Sequence, residues 1–121
     1  MELKILKQNF SICKVKEINN INIDNEFLFI GKTDDEISIV CAEECIPINY
    51  TDISENWKCI KIIGTLDFSL IGILSKISTI LAENNISIFV VSTYNTDYVL
   101  VKEDKIDLAK KCLEENNYTF I

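Results

Sequence analysis

Two short stretches hold the residues of this chain best suited to chemistry: Asp67, Phe68 and Ser69, and the run Ser92, Thr93, Tyr94, Asn95, Thr96 and Asp97. The first stands just ahead of an apolar, helix-periodic segment that opens with Leu70, Ile71 and Gly72. Where coil turns into helix, the leading backbone N–H groups have no partner within the helix and carry partial positive charge. Such groups hold a carboxylate without any side-chain cation. The spacing predicts a helix beginning near Leu70, with the amides of Ser69 to Gly72 facing an anion and Gly72 leaving room for close approach. Asp97 is suited to an ammonium group, and Ser92, Thr93 and Thr96 offer hydroxyls. Each also has a plainer use. Asp67 or Ser69 suits a helix N-cap, worth about 1 kcal/mol, and Thr96–Asp97 suits a tight turn.

The residue types that are missing narrow the chemistry. The 121 residues include no His and no Arg, so imidazole acid–base catalysis and a bidentate guanidinium clamp are both excluded. Asp67 and Asp97 form a conceivable carboxylate pair, but no substrate cleft of their own is evident and no catalytic residue is expected. Cys13, Cys41, Cys45, Cys59 and Cys112 are widely spaced. Cys41 and Cys45 offer two metal ligands that nothing completes, so buried thiols are expected rather than a metal site. No cofactor is expected. The net charge of −7 opposes nucleic-acid binding. No apolar run approaches the ~20 residues of a membrane span, and the opening MELKILKQNF lacks a signal-peptide core. A cytoplasmic protein is expected.

The elements that must position these residues read most clearly from Trp57 onward. A strand through Ile60 and Ile62 precedes a helix over 70–84, whose Leu70, Leu74, Ile77 and Leu81 form one stripe. Strands over 86–93 and 98–103 flank the polar turn. A second helix, capped by Asp104, turns Ile106, Ala109 and Leu113 to the core, and 118–121 closes the sheet. Asn84–Asn85 and Asn116–Asn117 suit helix stops, because Asn tolerates the left-handed conformation. Phe89 and Val91 make the second face of their strand apolar too, so something must cover it. Upstream, strands are expected over 2–7 and 10–16, and a hairpin through Phe27–Ile30 and Ile37–Cys41. One helical turn is expected at Ala42–Cys45, and a polar linker over 48–56. Phe27–Cys41 echoes Ile86–Val101 in layout.

The runs Gly64-Thr65-Leu66-Asp67-Phe68-Ser69-Leu70-Ile71-Gly72 and Ser92-Thr93-Tyr94-Asn95-Thr96-Asp97-Tyr98 resemble an ACT domain. More specifically, the chain resembles small bacterial tandem-ACT proteins related to the arginine sensor of animal cells. Phe10–Lys14 and Thr33–Val40 are similar to that family's first repeat. The resemblance implies an α+β fold of two ferredoxin-like units, a shortened one over 1–56 and a complete βαββαβ unit over 57–121. Each would be an antiparallel sheet with helices on one face. It also implies a non-catalytic regulatory homodimer that binds a small molecule, commonly an amino acid, through Asp67, Phe68, Ser69, Leu70, Ile71, Gly72, Ser92, Thr93, Tyr94, Thr96 and Asp97. A purely structural dimer is the alternative.

Overall fold

The computed structural model describes residues 1–19, 21–65 and 72–121. In chain order the strands are β1 (Glu2–Ile5), β2 (Phe10–Val15), β3 (Leu28–Lys32), β4 (Ile37–Ala42), β5 (Tyr50–Ile62), β6 (Ile88–Ser92), β7 (Asp97–Lys102) and β8 (Thr119–Phe120). Helix α1 (Ile73–Glu83) joins β5 to β6, and α2 (Ile106–Glu115) joins β7 to β8. Single 3-10 turns occupy Glu43–Cys45 and Glu103–Lys105. The residues group into two compact units, Met1–Lys7 with Lys58–Ile121, and Gln8–Trp57.

The larger unit is the β5-α1-β6-β7-α2-β8 succession expected from the alternation of apolar periods. Its strands lie in the order β6-β7-β5-β1-β8. Strand β1 runs antiparallel to β5, with Leu3 opposite Ile62, and parallel to β8. The strands expected over 2–7 and 10–16 are thus not paired with each other. Leu3 is fully buried, which is reason enough for the segment to join this core. Both helices cover the face made by Ile60, Ile62, Ile88, Val90, Val99 and Val101, burying Ile77 and Leu81 of α1 with Ile106, Ala109 and Leu113 of α2. On the opposite face Cys59 and Leu100 are also fully buried, and Phe89 and Val91 are half-buried. The second face is thus closed at its centre.

Both helices stop by the same device. Asn85 (φ 58°) and Asn117 (φ 72°) take the left-handed conformation just past each helix. The amide of Ile86 then donates to the Leu81 carbonyl and that of Asn85 to Ala82; Tyr118 and Asn117 do the same to Leu113 and Glu114. This pair of hydrogen bonds satisfies carbonyls that the helix leaves open, and Ile86 packs back into the core beside Leu81. The side chains of Asn84 and Asn116 each add a bond to the carbonyl four residues back, at 2.8 Å.

Two expected helix starts are corrected. Helix α1 begins at Ile73, not Leu70, because Gly72 at its N-cap has φ 80° and cannot lie within a helix. Helix α2 begins at Ile106 after a 3-10 turn, and no side chain caps it, so Asp104 is not its N-cap. Asp107 does lie in the first turn, where its charge complements the helix dipole.

The smaller unit is an antiparallel sheet ordered β3-β4-β2-β5, with β2 beside the Tyr50–Trp57 part of β5. The segment read as a polar linker over 48–56 is therefore strand from Tyr50 onward. Backbone pairing to β2 outweighs its composition, and its polar side chains are mostly exposed. A register shift opposite Phe10 to Ile12 absorbs one extra residue near Asn56 (φ 65°). Cys13, Val15, Ile39 and Cys41 form the core of one face, with Leu28, Ile37 and Ile53 and, from the loops, Ile21, Cys45 and Ile46 packed against it.

The left-handed Asn positions yield a test. Asn85→Ala should lower unfolding free energy by up to about 1 kcal/mol, because Ala lacks the short polar side chain that lets Asn tolerate the left-handed backbone. Asn85→Gly should be nearly neutral. Urea denaturation of both variants measures the difference.

Candidate functional site

The expected site divides between described and undescribed residues. Asp67, Phe68, Ser69, Leu70 and Ile71 lie outside the described residues. Gly72 is the N-cap of α1, and its carbonyl accepts the Lys76 amide at 2.9 Å. The amides of the first helical turn are consequently those of Ile73, Leu74 and Ser75, which by helix geometry have no acceptor within the helix. These replace Ser69 to Gly72 as the amides available at the helix start. The signal in the sequence was Gly72 itself, since glycine is favoured at an N-cap and rarely kept within a first turn.

Ser92, Thr93, Tyr94, Thr96 and Asp97 are gathered in the β6–β7 hairpin, with Ser92 opposite Asp97. The Thr93 amide and hydroxyl both donate to the Thr96 carbonyl at 2.9 Å. The hydroxyl also accepts the Thr96 amide at 3.4 Å. Thr96 points inward, only 5% exposed, and its hydroxyl donates to the Ile62 carbonyl at 2.7 Å. Ile62 is the last residue of β5, one position before the connection to α1 departs. That bond fixes the hairpin tip beside the start of the connection. Tyr94 is 80% exposed, and Asp97 is half-buried. On the face away from the helices, Lys61 Nζ stands 5.8 Å from the Tyr98 ring centre, a cation–π contact next to Asp97.

Burial raises the pKa of the Cys13, Cys41 and Cys59 thiols, while Cys45 is only half-buried. Burial pushes Cys41 up to about 12, with Cys13, Cys45 and Glu44 nearby adding to the effect. Burial likewise pushes Cys59 up to about 12, against a smaller opposing pull from Lys61. A buried neutral thiol is a poor nucleophile and a poor metal ligand. Among the described residues no His, Cys, Asp or Glu cluster is placed to hold a metal, and no described helix is long and apolar enough to cross a membrane.

Strand order and helix placement in the larger unit define a mixed α+β, ferredoxin-type domain whose hairpin tip is tied to the end of its first helix-linked strand. Comparison with known proteins agrees. The ACT domain model matches residues 52–115, and a second model, described as an N-terminal domain, matches residues 8–49. The chain belongs to the ACT domain family. A crystal structure of an Agrobacterium tumefaciens protein is similar over 99% of this chain and 91% of its own, with 31% identity and a TM-score of 0.89. A Vibrio cholerae protein described as of unknown function and a possible transport protein covers 94% of this chain and 88% of its own (19% identity, TM-score 0.73). The regulatory subunit of aspartate kinase from Thermus thermophilus, in its ligand-free form, has the same fold over 93% of this chain and 95% of its own (8% identity, TM-score 0.67). No curated protein matches the chain in sequence.

Two outcomes follow from the geometry. Thr96→Val would leave the Ile62 carbonyl buried without its donor, so stability should fall by about 1–3 kcal/mol, as read by urea denaturation. Stability should also decline as pH rises from about 9 towards 12, and a pH series of urea midpoints should show it. The Cys41 and Cys59 thiols keep their protons in the folded state while those of the unfolded chain ionise, so the native state binds more protons across that window. Replacing Cys41 and Cys59 with Ala should flatten the decline.

Proposed function

We propose that the chain is a regulatory module without catalytic activity, whose larger unit binds an amino acid or a similar small zwitterion. The observation that carries this reading is the Thr96–Ile62 bond. It brings Ser92, Thr93, Tyr94, Thr96 and Asp97 to the point where the connection towards Gly72 and α1 leaves the sheet. The ligand carboxylate would face the amides of Ile73, Leu74 and Ser75, with Asp67, Phe68, Ser69, Leu70 and Ile71, which precede them in the sequence, retained as proposed ligand-binding residues. Its ammonium would face Asp97. Membership of the ACT family and the fold shared with an aspartate kinase regulatory subunit support a binding rather than a catalytic role.

We read the smaller unit as a shortened ACT unit in tandem with the larger one. Its strand order β3-β4-β2-β5 is that of a ferredoxin-like sheet, with a loop in place of the first helix and a 3-10 turn in place of the second. The half-buried Phe89 and Val91 on edge strand β6 support a homodimer. Thr96 favours a plainer role for one expected ligand residue, since its hydroxyl is already committed to Ile62.

A ligand at 100 times its dissociation constant stabilises the native state by about 2.7 kcal/mol. Thermal denaturation with each proteinogenic amino acid in turn should therefore show a raised midpoint for at least one. Asp97→Ala should abolish that shift while leaving the midpoint of the free protein within about 0.5 kcal/mol of its original stability. Absence of a shift with all of them would favour a structural dimer that takes no ligand.

A further inference from the structure

The smaller unit contains an open cleft of about 630 Å³ that none of the sequence motifs anticipated. It lies where the end of β2, the β3–β4 hairpin and the start of β5 meet, and its lining is charged. Lys14, Lys16 and Lys32 face it together with Asp34, Asp35 and Asp52, and Glu36 adds a fourth carboxylate.

The hairpin beside this cleft is built like the one in the larger unit. Four residues separate the paired ends Lys32 and Ile37, just as four separate Ser92 and Asp97. The Thr33 amide donates to the Glu36 carbonyl at 2.9 Å, matching Thr93 and Thr96. The Thr33 hydroxyl accepts the amides of Asp35 and Glu36. The two hairpins differ at the residue that could close the space beside the neighbouring strand. Thr96 reaches across to the Ile62 carbonyl, whereas Glu36 turns along its own strand and accepts the Ser38 hydroxyl at 2.6 Å. The pairing of β2 with β4 ends at Val15 and Ile37, and Lys16 and Glu36 follow just beyond it, both lining the cleft. Opposite, Asp52 pairs with Lys14 across the strands, and the Thr51 hydroxyl shares its single proton between the Lys14 carbonyl at 3.2 Å and the Asp52 carboxylate at 3.0 Å. The floor of the cleft is thus held by strand pairing while its mouth stays open.

We propose that this cleft is a second binding site, for a small dipolar ligand that bears separated cationic and anionic groups. Its anionic end is held by Lys14, Lys16 and Lys32. Its cationic end, drawn by the four carboxylates, faces Asp34 and Asp52. The site goes beyond the reading of the larger unit and shares no residue with it. Because the lining is exposed, its electrostatics act through water and weaken with salt.

The test is residue-resolved. Amide NMR shifts of the full chain are followed during titration with L-lysine, cadaverine (which lacks the carboxylate) and L-norleucine (which lacks the side-chain ammonium). L-lysine should move the resonances of 14–16, 32–37 and 51–52. Cadaverine and norleucine should each bind about fivefold to tenfold more weakly, the loss expected for one or two solvent-exposed charge contacts. Lys32→Ala with Asp34→Ala should reduce L-lysine affinity by a similar factor, and raising the salt concentration should weaken it further. No movement at these residues with L-lysine would overturn the proposal, as would equal binding of all three probes or an unchanged affinity in the double variant. Shifts at 72–75 and 92–97 report on the larger unit separately, so either site can fail without the other.

Discussion

A single buried hydrogen bond organises the larger unit around its candidate site. The carbonyl of Ile62 closes β5 in a buried position, one residue before the chain leaves the sheet, and a buried carbonyl requires a donor. Thr96 supplies it from the β6–β7 hairpin at 2.7 Å. That choice commits Thr96 to the interior, sets the hairpin's four-residue turn around the Thr93 hydroxyl and leaves Tyr94 in solvent. A hairpin tip that is otherwise free to fray is anchored where the helix connection begins.

The two hairpins show how one residue changes what a shared scaffold can do. Both use a threonine at the first turn position to satisfy the turn's own backbone. The fourth position then decides between closure and opening. Thr96 is small and a donor, so it can bury against a carbonyl. Glu36 is charged, and a carboxylate stays exposed rather than surrender its hydration. The same layout therefore carries a hydrogen bond to the neighbouring strand in one unit and a charged cleft in the other.

Much of this was legible in the chain, for physical reasons that differ by element. Helix stops at Asn84–Asn85 and Asn116–Asn117 could be read because few residues accept the left-handed conformation. The inward faces of β5 and β6 could be read because alternation has only one solution once a core exists. The echo between Phe27–Cys41 and Ile86–Val101 appears as matching hairpins. The strand at Tyr50–Asn56 was hidden, since its stability comes from pairing with β2 rather than from its own polar residues. The start of α1 was hidden too. Leu70, Ile71 and Gly72 continue the apolar stripe, and only the left-handed backbone at Gly72 ends it. Of the candidate site, the hairpin residues could be seen and the inward commitment of Thr96 could not, because a threonine in a turn reads alike whether it faces solvent or core.

On the proposed reading, the amides opening α1 and the hairpin fixed by Thr96 serve one ligand. A crystal structure with whichever amino acid most raises the melting midpoint tests this most directly. If the two elements act together, the ligand carboxylate lies within hydrogen-bonding distance of amides at the start of α1 and the ammonium faces Asp97. A ligand seated without contact to either element would contradict it.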